Sequence, residues 1–232
     1  KKTDEDYYKS YRENLEKIER FLNIKAQRDF FDWIGEEIAI AKLRPSSKDR
    51  AEDLLIAIHS RDIAMAKDRL GYITGQIRKK SPLKFEGETY RNFQIHMLQR
   101  KNLFKLFFTD LFNRMEKPYF TFIDDFVMLS NSTEVLKTAI DEYRIGNTLK
   151  RSDAFSAFKD RFQVNCNISL YLQMPELYPA LVKYSQSDLQ QQVQVNQSLI
   201  MSFARLGLQI TGENGIAESQ FMVEYDSLAY SK

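Results

Sequence analysis

The sequence predicts an α+β protein with a largely antiparallel sheet, hairpins and packed helices, and three observations carry that prediction. Runs with a two-residue apolar period are joined by turn-forming pairs, as in FTFIDDFVML from Phe120. Segments with a three-to-four-residue period lie between such runs, the first at residues 3–22. One phrase also recurs: IAIHSRDIAMAKDRL, VMLSNSTEVLKTAI and, more loosely, LYLQMPELYPAL each pass from a strand through a polar cap into a helix. The identity between these copies is too low to prove duplication, but the echo implies repeated strand-to-helix units.

Each element follows from its local pattern. Over 3–22, Tyr8, Tyr11, Leu15, Ile18 and Leu22 form one stripe behind a cap at Thr3 or Asp4, a lead-in helix of residues 1–24. A main α+β domain follows over 25–232, with its natural point of subdivision near 145–152. A short helix is expected from Gln27 to Ile34, stopped by Gly35, then a strand over 36–45 and a polar loop, SSKDR. DLLIAIHS is a strand feeding the helix RDIAMAKDRLGYITGQI. Residues 89–99 read as one alternating strand, and NLFKLFFTDLF at 102–112 as a mostly buried helix, being too densely apolar for a surface stripe.

Asp124 and Asp125 sit between two apolar strands, so they read as a hairpin turn whose carboxylates splay into water. NSTEVLKTAIDEY is a helix with Asn131 at its cap and Glu134 at capping-box spacing. A further helix starts at Ser152. NISLYLQM is a strand, PELYPALVKY a helix with Pro175 in its first turn, and DLQQQVQVNQS a loop or weak helix. SFARLGLQIT and AESQFMVEYD close the chain as a hairpin around GENG, with Gly212 and Gly215 available for positive φ.

Composition bounds the function classes. With 43% hydrophobic and 28% charged residues the 232-residue chain is an ordinary folded protein, and its 17 Phe and 12 Tyr imply an aromatic-rich interior. The balance of 34 basic against 32 acidic residues leaves a charge of +2. The short basic clusters at 77–80, 99–101 and 149–151 each read as a solvated loop or helix end rather than a phosphate track, unless the fold brings them together. No nucleic-acid partner is expected. Cys166, the single cysteine, can form no internal disulfide and reads as a buried, inert thiol in a strand-like run. No run approaches the roughly 18 apolar residues of a membrane span. The opening KKTDEDYY carries neither an initiator Met nor a signal peptide, so the chain reads as a mature or truncated piece with any anchor outside it.

The chemistry-bearing residues are few. Nucleotide loops, a GxSxG elbow and zinc motifs are absent from the sequence, so no catalytic residue, metal or cofactor is expected. His96 alternates with Ile95 and Met97 and is expected to face solvent. His59, with Asp62 at the start of the next helix, reads as a cap in the first instance, or as a proton relay or anion site. Trp33 lies among Asp32, Glu36 and Glu37, a composition that suits either a core anchor or a cleft for sugars or cations. The candidate ligand-binding set is Trp33, Glu37, His59 and Asp62. Asn131, Asn167 and Asn196 head glycosylation triplets, which matter only in a secreted eukaryotic chain.

DWIGEEIAIA, LLIAIHSRDIAMAKDRL, PYFTFIDDFVMLSNSTEVL and NTLKRSDAFSAFKDRF, taken together, resemble an uncharacterised bacterial family described only as a domain of unknown function, most of whose members are predicted cell-envelope proteins. The resemblance spans residues 30–225 and rests on a succession of phrases. It implies a periplasmic or envelope location and an anchored N-terminus, and it transfers no catalytic residue. The expected function is a non-catalytic envelope domain binding a protein or surface component. The alternatives are a lipid carrier lined by Phe93, Phe104, Phe107, Phe108, Phe112, Phe120 and Phe122, and a hydrolase using Glu37, Asp62 and His59.

Overall fold

A computed structural model describes residues 2–42, 54–80, 87–97, 118–213 and 215–226. The loop at 46–50, the basic cluster at 99–101, the helix expected at 102–112 and its Phe104, Phe107, Phe108 and Phe112 lie outside these residues. The chain divides into two compact units, Lys1–Ile145 and Gly146–Lys232.

The first unit is a six-stranded antiparallel sheet with helices on both faces. In chain order it contains α1 (Lys2–Leu22), a π-helical turn (Gln27–Phe31), β1 (Ile34–Lys42), β2 (Leu54–Ser60) and α2 (Ile63–Lys80). β3 (Glu88–Tyr90), β4 (Phe93–Met97), β5 (Tyr119–Ile123), β6 (Phe126–Ser130) and α3 (Thr133–Ile145) complete it. The strand order is β1-β2-β6-β5-β4-β3.

The central strands are apolar at nearly every position because both faces are covered. On one face Ile56, Ile58, Phe120, Val127 and Leu129 meet Leu22 of α1 and Ala66, Leu70, Ile73 and Ile77 of α2. The 4-3-4 spacing of the α2 residues places them on one stripe. On the other face Leu55, Ile95 and Ile123 pack on Val135, Leu136 and Ile140 of α3. Each fully buried Leu or Ile contributes about 1.5–3 kcal/mol, so the two layers outweigh any surface interaction in this unit.

Turn chemistry corrects two expectations. Residues 89–99 are not one strand: Arg91 and Asn92 both take positive φ, at 49° and 71°, and turn the chain between β3 and β4. This is the backbone of a two-residue hairpin loop, with Arg in a place usually held by Gly, Asn or Asp, so the sequence signal is weak. Asp124 and Asp125 form the β5–β6 turn as expected, with Asp124 at φ 48°. The Asp124 carboxylate, however, accepts a 2.5 Å bond from the Tyr143 hydroxyl on α3 rather than from a local amide. The α3 helix starts at Thr133, two residues beyond the expected cap at Asn131.

The second unit carries a 3-10 turn (Leu149–Arg151), α4 (Asp153–Lys159), β7 (Ile168–Gln173), α5 (Met174–Tyr184), α6 (Ser187–Val195), α7 (Gln197–Ser202), β8 (Arg205–Glu213) and β9 (Ile216–Glu224). Its sheet is antiparallel in the order β7-β8-β9. Ser152 caps α4, accepting from the Phe155 amide at 3.2 Å. The Gln-rich stretch is helical, consistent with the good intrinsic propensity of Gln. Gly215 takes φ 81° in the closing turn, whereas Gly212 lies inside β8. Cys166 precedes β7 and is half-buried, not enclosed.

On one face of this sheet, Phe158 of α4 and the following Phe162 lie over β8 at Gly207. A Cβ on Gly207 would meet Phe162 Cε2 at 2.6 Å and Phe158 Cε1 at 2.8 Å. Only glycine admits both rings. Phe155 and Phe158 also pack on Tyr171 of β7, with centroids 4.9 and 5.5 Å apart. On the opposite face Ile168, Leu170 and Phe221 are exposed.

Candidate functional site

The four residues singled out in the sequence do not share a cleft. Trp33 is wholly buried in the first core, edge-on to Phe30 at 5.5 Å, and its backbone carbonyl accepts from the Ser60 hydroxyl and the Arg61 amide. Glu37 is exposed on β1, one of the two edge strands of the six-stranded sheet. His59 alternates with Ile58, so it lies on the other sheet face, half-buried beside Phe126 with centroids 5.3 Å apart. Gly35 makes room for its ring: a Cβ there would come within 3.2 Å of His59 Cε1. Asp62 caps α2, accepting from the Met65 amide at 2.9 Å. Among the described residues no three His, Cys, Asp or Glu side chains are grouped to hold a metal ion.

His96 does not face solvent. It is half-buried and stacked on Phe120, with centroids 4.9 Å apart and planes 22° from parallel. Burial, with a smaller contribution from the Arg78 charge, lowers its pKa below 6.5.

A cleft of about 440 Å³ opens in the second unit, where the chain leaving α4 crosses the outer half of β8 and β9. Arg161, Phe162 and Gln163 form one wall, and Gln209, Thr211, Glu218, Ser219 and Gln220 form the floor and far side. Register explains the grouping. Gln209 pairs with Gln220 and Thr211 with Glu218, so alternate residues of both strands project on the face that carries Phe162.

Hydrogen bonds hold this wall in place. The Gln209 amide accepts from the Gln163 backbone N–H at 3.1 Å and donates to the Gln163 carbonyl at 3.2 Å. With its side chain doubly engaged and the residue only 6% exposed, Gln209 positions the wall. Thr211 donates to the Gln163 side-chain oxygen at 3.4 Å, and Gln220 donates to the Arg161 carbonyl at 3.2 Å. The amide NH₂ of Gln163 and the amide oxygen of Gln220 are thereby left for a ligand. Arg161 lies 5.9 Å from the Phe158 ring centroid and makes no ion pair with Glu218 across the cleft.

Residues 11–225 match the model of a family described as "Protein of unknown function (DUF3352)". The chain belongs to that family. No curated protein and no solved structure matches it. The DUF3352 match runs through both units, so the three-layer unit and the cleft-bearing unit are parts of one family region.

The DUF3352 chain holds a second polar cluster that sequence reasoning passed over. Asp29, in the π-helical turn, is completely buried. Its carboxylate takes bonds of 2.7 and 2.9 Å from Arg28 and 2.8 Å from the Lys25 amide, with Arg69 of α2 at 3.6 Å. Burial pushes the Asp29 pKa up, but the Arg28 bond, the Lys25 amide and the Arg69 charge together outweigh it and hold the pKa below 3.8. Nothing in DFFDWIG distinguishes Asp29 from the exposed Asp32. The cleft did leave a trace: in GLQIT the positions alternating with Leu208 and Ile210 are Gly207, Gln209 and Thr211, a polar face in a strand.

Proposed function

We propose that this chain is a non-catalytic binding domain of the cell envelope that holds a surface component or protein in the cleft over β8 and β9. The composition of the cleft supports this reading most directly. It offers amides, hydroxyls, one guanidinium and one carboxylate, but no His, Cys or Asp among its lining residues. Acid–base or nucleophilic catalysis needs a group and a partner that exchange a proton near neutral pH. An arginine, which has no acceptor, and a single carboxylate do not form such a pair. The envelope location, with an anchor outside this chain, is an inference from the family resemblance alone.

Two measurements test the proposal. The chain should turn over no ester, glycoside or peptide in a broad screen, and it should be retained on isolated cell-wall or membrane fractions. Retention should fall when Arg161→Ala and Glu218→Gln are combined. Turnover would end the non-catalytic reading, and unchanged retention of the variant would end the assignment to this cleft. Among the seven rings that motivated a lipid carrier, Phe120 and Phe122 pack in the first core and Phe93 in the second.

A further inference from the structure

We propose that the cleft over β8 and β9 is a saccharide site that takes a neutral oligosaccharide. This rests on the reading of the chain as a binding domain and gives that same cleft a ligand class. The volume of about 440 Å³ falls within the roughly 300–1,000 Å³ of small-ligand sites. A sugar hydroxyl both donates and accepts, so it is best met by groups that present donors and acceptors side by side. The cleft presents such a set: NH₂ from Gln163, the guanidinium of Arg161, the amide oxygen of Gln220 and the carboxylate of Glu218. Phe162, half-buried against Gly207, adds an apolar surface for the C–H face of a ring.

Other ligand classes fit less well. An apolar molecule would strip water from Arg161, Gln163, Glu218 and Gln220 without replacing their hydrogen bonds. An anion would meet Glu218 with only Arg161 to offset it, and a metal ion would find one carboxylate. A peptide added as a strand needs free backbone groups. The backbone of β8 from Arg205 to Ile210 is already paired with β7 on one side and β9 on the other, so a strand could add only along the open edge of β9 and not on the cleft floor at Gln209. The two hydrogen bonds between the Gln209 side-chain amide and the Gln163 backbone fix the wall before a ligand arrives, which lowers the ordering cost of binding.

The test uses the whole chain and neutral oligosaccharides of defined linkage: cellotetraose, maltotetraose, mannotetraose and chitotetraose, followed by a glycan array. Binding is read by calorimetry and by the side-chain amide resonances of Gln163, Gln209 and Gln220. At least one neutral glycan should shift those resonances. Arg161→Ala and Glu218→Gln should each weaken its binding roughly tenfold with the melting temperature unchanged, while Lys150→Ala, outside the cleft lining, should not. If no glycan binds but a peptide library yields ligands sensitive to Arg161→Ala, the saccharide assignment falls and the binding domain stands. If neither binds, both fall. Glycan binding indifferent to both variants would overturn the cleft as its seat.

Discussion

Ser60 and Ser130 occupy equivalent places in neighbouring strands. Each is the last residue of its strand, each is buried, and each stands three residues before the first residue of a helix. Each hydroxyl donates to a backbone carbonyl, Ser60 to Trp33 at 3.1 Å and Ser130 to Leu54 at 2.8 Å. The recurring phrase in the sequence is thus a recurring structural unit, in which a buried serine ends the strand and the chain turns into a helix. The helix of one unit covers one sheet face and that of the other covers the opposite face.

The two serines should differ in weight. Ser60→Ala removes one bond, and the Trp33 carbonyl keeps the Arg61 amide, so a loss of about 1 kcal/mol is expected. Ser130 also accepts from the Ser132 amide at 3.2 Å, so Ser130→Ala should cost about 2 kcal/mol. Urea denaturation of both variants measures the difference, and equal losses would contradict the assignment.

Replacing Asp29 by Ala should destabilise the first unit by about 3 kcal/mol, because a buried acid that bonds Arg28 and the Lys25 amide is lost. Asp29→Asn, which still accepts from Lys25, should lose less. The folded pKa lies below the ordinary 3.8, so the stabilisation is complete above that value and fades as pH falls through the lower folded one. Acid denaturation of the wild type should therefore steepen below about pH 4, and Asp29→Asn should flatten that slope.

His96 acts in a higher pH window. Its pKa is lowered on folding, so the unfolded chain binds the proton more readily. Stability is complete above about pH 6.5 and falls as pH drops toward the folded value. His96→Phe should remove that loss, read as melting temperatures converging between pH 5 and pH 7. If the variant kept the full pH dependence, the ring stacked on Phe120 would not be its source.

Gly207→Ala should destabilise the second unit by about 1–3 kcal/mol, since the added methyl meets the rings of Phe158 and Phe162. As Phe162 and Gln163 form the cleft wall, ligand binding should weaken with it. A variant as stable as the wild type would show that the two rings can retreat.

Much of the fold was legible because period and turn chemistry agree in this sequence. The α2 stripe, the β5–β6 hairpin and the strand-to-helix phrase all combine a clear apolar spacing with polar punctuation. The β3–β4 turn was not legible, since Arg91-Asn92 lacks the glycine that marks such loops, and the lengthwise alternation masks the reversal. His96 was misplaced for a related reason. Alternation tells which residues share a face, but not that the other face is also covered. The cleft was the least legible part, because it joins the loop after α4 to strands about 45 residues later through amide side chains that form no motif.

Because the six-stranded sheet is covered on both sides, LLIAI, YFTFI and FVMLS have no polar side to shield them before helices dock. A ribosome releasing this polypeptide exposes three sticky segments, and LLIAI must wait for FVMLS, its neighbour in the finished sheet, which is made much later in the chain. Recombinant production should accordingly be temperature-sensitive, giving inclusion bodies when synthesis outruns assembly and soluble material when it is slowed. Glu36 and Glu37 on the bordering strand β1, and Glu88 on β3, serve as charged guards against sideways stacking of finished molecules.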